Sequence, residues 1–181
     1  MAAMAGSIAR RYARALFGIS LDADKLEAFG QEIADFATLL DESTELRQTL
    51  ENPVFAGSEK RKVLESLLPR VTPTSEVQRF LLLLLERRRI VLLPAIARAY
   101  RDMTDAHLGR VRATVTSAEP LTGPALDRVR RSLEQRTGKQ VIVETAVDAD
   151  LIGGVVARVG DLVLDGSVRT QLDDLRQKLL N

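Results

Sequence analysis

The stretch Asp150–Leu172, DLIGGVVARVGDLVLDGSVRTQL, decides the fold of the second half of the chain. It opens on Gly153-Gly154, runs through an apolar strand (Val155 to Val159), turns at Gly160-Asp161 and continues as a second strand (Leu162 to Leu164). Asp165, Gly166 and Ser167 then open a final helix whose apolar stripe is Val168, Leu172, Leu175 and Leu179. Glycine is favoured where backbone must turn or approach closely, and Gly-Asp between two apolar runs signals a hairpin. Asp or Ser ahead of a helical stripe offers oxygens to otherwise unpaired N–H groups. No catalytic group is arranged here. The expected roles are structural: a turn or bulge for Gly153 and Gly154, and a cap for Asp165 and Ser167. Arg169, on the first helical turn, is available to an acidic neighbour.

Upstream of this stretch the apolar period changes at Gly109. Val111, Ala113 and Val115 alternate with Arg112, Thr114 and Thr116, the pattern of a half-buried strand. Thr122 and Pro124 start a helix bearing Leu126, Val129 and Leu133 that closes at Gly138, and Val141, Val143 and Val147 mark another strand. The second half is thus a small α/β module of three or four strands and two helices.

The first half is helical throughout. Ser7 is positioned to cap a helix to about Leu21, and a second follows from Asp22 or Asp24 with Leu26, Phe29, Ile33, Phe36 and Leu40 on one face. A third (Thr44 to Leu50) stops before Asn52-Pro53, and a fourth, capped by Gly57-Ser58, ends at Pro69. Helix 5 lies in SEVQRFLLLLLERRR, with Val77, Phe80, Leu81 and Leu84 facing a core and Leu82 pointing away from it. Helix 6 has Pro94 in its first turn and ends at Gly109. The fold class is α+β: a six-helix bundle over residues 1–109, then a small α/β domain over residues 110–181.

Helices 1 and 5 carry more apolar surface than one bundle face uses. On helix 1, Ile8, Ala9, Tyr12, Ala13, Ala15, Leu16, Phe17 and Ile19 cover an arc of roughly 200°, against the roughly 100° that packing on one core needs. Either these helices are internal to the bundle or an outside helix covers them, and periodicity alone does not choose.

Composition narrows the function classes. The 181 residues include 26 Lys and Arg against 25 Asp and Glu, so the overall charge provides no field favouring nucleic acid or anionic lipid. Cysteine is absent, which excludes disulfides and thiolate metal sites, and His107 is the sole histidine, so neither a metal centre nor a cofactor is expected. The N-terminal sequence lacks the apolar core of a secretory signal, and no apolar run approaches the roughly 20 residues that span a bilayer. Arg87 to Arg89 read as a solvated turn at the negative end of a helix rather than as a phosphate site.

The order of elements and several motifs resemble the delta-subunit family of bacterial F-type ATP synthases, counterparts of the mitochondrial oligomycin-sensitivity-conferring protein. The motifs are ARRYARALF near the start, NPVF at Asn52 to Phe55, LLERRRIVLLP between helices 5 and 6, RVRATVTSAEPL opening the second domain, and LIGGVVARVGDLVLDGSVRTQL. The signature positions are Gly153, Gly154, Gly160, Asp161, Asp165, Gly166, Ser167 and Arg169. Thr170-Gln171-Leu172 stands where that family often has Gly-Arg-Leu.

The resemblance implies a non-catalytic peripheral-stalk subunit that links the F1 head to the F0 sector and couples proton translocation to ATP synthesis. It would act in one copy per complex, at the cytoplasmic face of the cell membrane, and associate with the membrane only through the complex. In the family the helical domain takes the N-terminal helix of an alpha subunit between helices 1 and 5, and the second domain is held by the C-terminal helices of the b subunits. Within that groove the apolar excess nominates Tyr12, Ala13, Leu16, Leu82 and Leu83. The rivals are a nucleic-acid-binding or other adaptor, which lacks an aromatic platform on its strands, and an enzyme, for which no nucleotide-binding loop is present.

Overall fold

The structure is a computed structural model and describes residues 2–149, 151–160, 162–170 and 172. The chain divides into two compact units, Met1–Thr104 and Asp105–Asn181.

The first unit contains helices α1 (Ala2–Asp22), α2 (Leu26–Glu42), α3 (Thr44–Glu51), α4 (Gly57–Val71) and α5 (Ser75–Glu86), then a 3-10 turn (Ile90–Leu92) leading into α6 (Leu93–His107), whose residues from Asp105 on belong to the second unit. α1 begins upstream of Ser7, which is exposed within the helix and does not cap it. Ala2, Ala3, Met4 and Ala5 are strong helix formers, and the helix runs on through Gly6 to Ser7. Neither Asp22 nor Asp24 caps α2, because Asp24 takes the left-handed conformation (φ 53°) that turns the chain. α4 runs through Pro69 to Val71 and closes on Thr72, also left-handed, whose N–H donates to the Leu68 carbonyl at 2.8 Å. Proline in a last turn forfeits a single hydrogen bond, and the cap on the residue beyond it holds the turn closed.

Long-range polar contacts fix how the helices lie together. The Thr74 N–H and hydroxyl both donate to Glu32 Oε2 at 2.9 Å, so a carboxylate of α2 caps the N-terminus of α5. Tyr100 of α6 is fully buried, with its ring against Gly30 of α2 and edge-on to Phe17 of α1 at 6.1 Å between centroids. Its hydroxyl reaches Ser20 Oγ at 2.7 Å and the Leu26 carbonyl at 2.9 Å. A Cβ at Gly30 would stand 3.2 Å from the Tyr100 ring, so α2 is glycine where the phenol passes. Around this junction lie Leu16, Phe29, Ile33, Phe36, Leu64, Val77, Leu81, Leu84 and Ile96, all buried.

The second unit is a four-stranded sheet in the order β2-β1-β3-β4, formed by β1 (Arg110–Ser117), β2 (Gln140–Val147), β3 (Gly154–Val159) and β4 (Leu162–Ser167). β1 and β2 are parallel and joined through helix α7 (Gly123–Thr137), whereas β3 is antiparallel to both β1 and β4. Ala113 and Val115 of β1, Val141 of β2 and Ala157 of β3 share one face and bury Leu133 of α7. Asp165, Gly166 and Ser167, expected as a cap alone, are the last residues of β4 and pair with Val156, Val155 and Gly154. Helical structure begins at Val168, and the remainder of that stripe, Leu175 and Leu179, lies outside the described residues.

Two outcomes follow. Tyr100→Phe leaves the Leu26 carbonyl without that buried donor, so it should cost about 1–3 kcal/mol in denaturant unfolding; an unchanged midpoint contradicts this role. Burial raises the Tyr100 phenol above its ordinary value, so the unfolded chain ionises first. Stability from this group is complete below about pH 10 and is lost as pH rises through the folded value, and the Tyr100→Phe chain should lack that alkaline component.

Candidate partner-binding surface

α1 presents two apolar faces. Ala9, Ala13, Leu16 and Ser20 point inward and are buried. About 100° around the helix, a second row formed by Ile8, Tyr12, Ala15 and Ile19 advances by four, three and four residues and so stays in line. It is half-buried at Ile8 and Tyr12, exposed at Ala15, and 46% exposed at Ile19. Tyr12 meets Phe80 of α5 edge-on, with ring centroids 6.4 Å apart, which makes a seam between α1 and α5. One turn along α5 from Phe80 lies Leu83, 40% exposed.

The structure divides the five residues nominated for a groove. Tyr12 belongs to the α1/α5 seam, and Leu83 lies one turn from its partner Phe80. Ala13 and Leu16 are 0% exposed and part of the bundle core, so they support the wall without offering surface. Leu82 lies on the other flank of α5. With Leu85 it lines a cavity of about 520 Å³, shared with Leu50, Pro53, Phe55 and Ile90. Sequence reasoning missed Ala15 and Ile19 as surface members; the signal was their alignment with Ile8 and Tyr12, hidden because the whole arc was apolar.

In the second unit the glycine-rich signature builds a hairpin. Gly154 has φ +82°, and a Cβ there would lie 2.8 Å from the Ser167 Cα of the paired strand, so only glycine fits. A Cβ at Gly153 would lie 3.2 Å from Val168 Cγ2, and Val168 N–H donates to the Gly153 carbonyl at 3.0 Å. Gly166 faces the Val155 carbonyl, and Gly160 turns the hairpin with φ +57° and open space around it. Asp161 lies outside the described residues. Asp165 Oδ1 accepts from the Ser167 N–H at 2.8 Å and Oδ2 from the Thr170 hydroxyl at 2.9 Å. These bonds to Ser167 and Thr170 hold the Asp165 carboxyl below its ordinary range. Ser167 Oγ accepts from Thr170 N–H at 3.3 Å and so caps the helix that starts at Val168. Arg169 is exposed. Nearby, Ile152, Val168 and Leu172 are exposed apolar side chains.

None of these arrangements resembles a reaction centre. Among the described residues no group of three or more His, Asp or Glu could hold a metal ion, and no helix is long and apolar enough to cross a membrane. Arg87, Arg88 and Arg89 are exposed at the end of α5.

Comparison with known proteins gives concordant matches. The family model described as ATP synthase delta (OSCP) subunit matches residues 8–179. A protein of Anaeromyxobacter sp. named ATP synthase subunit delta is 44% identical over 96% of this chain and 97% of its own length. One of the same name from Myxococcus xanthus is 42% identical over 96% of each. Among solved structures, a chain of the Toxoplasma gondii mitochondrial ATP synthase hexamer superposes with a TM-score of 0.67 at 26% identity, covering 96% of this chain and 97% of that one.

Core and surface positions should separate cleanly under mutation. Ala13→Arg forces a charge into the packed interior and should cost several kcal/mol, about 3 or more, in thermal unfolding. Ile19→Asp and Leu83→Asp should each stay within about 0.5–1 kcal/mol of the parent. In the hairpin, Gly154→Ala should cost about 1–3 kcal/mol, while Gly160→Asn, at an open left-handed position, should cost a fraction of that. Equal costs would mean that the close approach of β4 does not select the glycine.

Proposed function

The chain belongs to the ATP synthase delta (OSCP) subunit family, and from that membership we propose that its first unit takes a helix of the catalytic head while its second unit takes the stalk. It is a peripheral-stalk subunit of the ATP synthase complex, and membership of that family leaves the nucleic-acid adaptor reading without support. Its role is mechanical rather than catalytic. A rotary machine transmits torque from its shaft to its head only if the head is held still, and a stator subunit in series with the stalk carries the opposing load. Coupling of proton flow to ATP synthesis then depends on two docking sites and on the fold between them.

The observation that carries the head-binding site is the α1/α5 seam. Ile8, Tyr12, Ala15, Ile19 and Leu83 form an apolar strip anchored on the buried Phe80, and the small Ala15 admits close approach of a backbone. An amphipathic helix laid there buries its stripe at about 25 cal/mol per Å² of apolar surface removed from water. The occupant is the N-terminal helix of an alpha subunit. For the second unit the occupants are the C-terminal helices of the b subunits, with the exposed Ile152, Val168 and Leu172 supplying apolar contact. The complex holds the subunit at the cytoplasmic face of the membrane.

Calorimetry of the full chain against a peptide of the alpha-subunit N-terminal helix from the same organism tests the first site. Saturable one-to-one binding with a negative heat-capacity change is expected, weakened about tenfold or more by Ile19→Asp and by Leu83→Asp. Binding that neither substitution alters would remove the seam as the site.

A further inference from the structure

α6 contributes unevenly to the first unit. Ile96 and Tyr100 are buried in the bundle core, but Ala106, His107, Leu108 and Gly109 are all exposed, so the last turn of the helix has no apolar anchor. Asp105, at the start of that turn, is nevertheless buried. Its partner is Arg112, seven residues on and already in β1: Arg112 Nε lies 2.6 Å from Asp105 Oδ2, and Nη2 lies 3.4 Å from Oδ1. The same guanidinium extends Nη1 to Glu144 Oε1 of β2 at 3.1 Å.

We propose that Asp105, Arg112 and Glu144 form a clasp that makes the last turn of α6 a mechanical part of the sheet unit, so that the Leu108-Gly109 link does not flex. A two-pronged contact between arginine and carboxylate fixes orientation as well as distance, and here both partners are largely shielded from solvent, at 30% and 11% side-chain exposure. Gly109, with φ +65°, reverses the chain between helix and strand and brings Arg112 back to Asp105. The eight-residue segment Asp105–Arg112 is therefore closed on itself, and β1 pairing with β2 from Arg110 onward ties it to the sheet. A link that reads as a loose Gly hinge in sequence becomes a rigid corner. This inference does not depend on which partners the two units bind.

Residue-resolved hydrogen exchange on the full chain tests the clasp. Asp105→Ala removes it from the helix side and leaves Arg112 its bond to Glu144. The amides of Ala106, His107 and Leu108 should then exchange about tenfold faster or more, while those of Ala113, Val115 and Tyr100 keep their rates. In the parent background, Tyr100→Phe, which loosens the bundle, should leave the 106–108 rates unchanged. If Asp105→Ala loosens the whole second unit, Arg112→Lys, which keeps the charge and loses the two-pronged contact, takes its place with the same expectation. Unaltered 106–108 exchange in both clasp variants, or rates that follow the bundle in Tyr100→Phe, would overturn the proposal.

Discussion

The buried hydroxyl of Tyr100 sets the rotation of α1, and the docking surface follows from that rotation. A phenol taken out of water needs partners, and those present are Ser20 Oγ and the Leu26 carbonyl, at the end of α1 and the start of α2. With Ser20 turned inward, helical periodicity turns Leu16, Ala13 and Ala9 inward with it. The row from Ile8 to Ile19 is then left outside, beside Phe80 and Leu83. A polar contact deep in the bundle thus decides which apolar residues remain available to a partner. The Phe17 ring against Tyr100 and the glycine at position 30 make room for the same arrangement.

The two units are stabilised differently. The bundle buries large side chains, among them Phe29, Phe36, Leu64 and Ile96, whereas the sheet unit's buried apolar core among the described residues is Ala113, Val115, Leu133, Val141 and Ala157. Close backbone approach accompanies that core in the sheet unit. Gly154 against Ser167, the Asp165 bonds to Ser167 and Thr170, and the Val168 bond to the Gly153 carbonyl provide that approach.

Much of this was legible in the sequence, and the division of the groove residues has one cause. The inward residues of helix 5 were read as Val77, Phe80, Leu81 and Leu84, and all four are buried. The break at Asn52-Pro53 falls where proline geometry puts it, and the strand alternation from Val111 matches the face that buries Ala113 and Val115. Periodicity, however, gives angles about a helix's own axis and not the direction of its neighbours. On helix 1, apolar over most of its circumference, the inward arc could not be told from the outward one, and Ala13 and Leu16, nominated for the groove, are buried. Ser20 was the informative residue, but a serine turned toward a core announces itself only once its tyrosine partner, 80 residues on, is known. On helix 5, Leu82 and Leu83 are adjacent in sequence and about 100° apart in space, so they serve opposite flanks.

That separation permits the most direct test of the head-binding site. An alpha-subunit N-terminal peptide carrying a spin label would be bound to the full chain, and broadening of its methyl resonances would be measured. The account predicts strong broadening at Ile8, Ile19 and Leu83, with Leu82 and Val91 much less affected. Broadening centred on Leu82 and Val91, with Ile19 and Leu83 untouched, would place the helix on the other flank of α5 and contradict it.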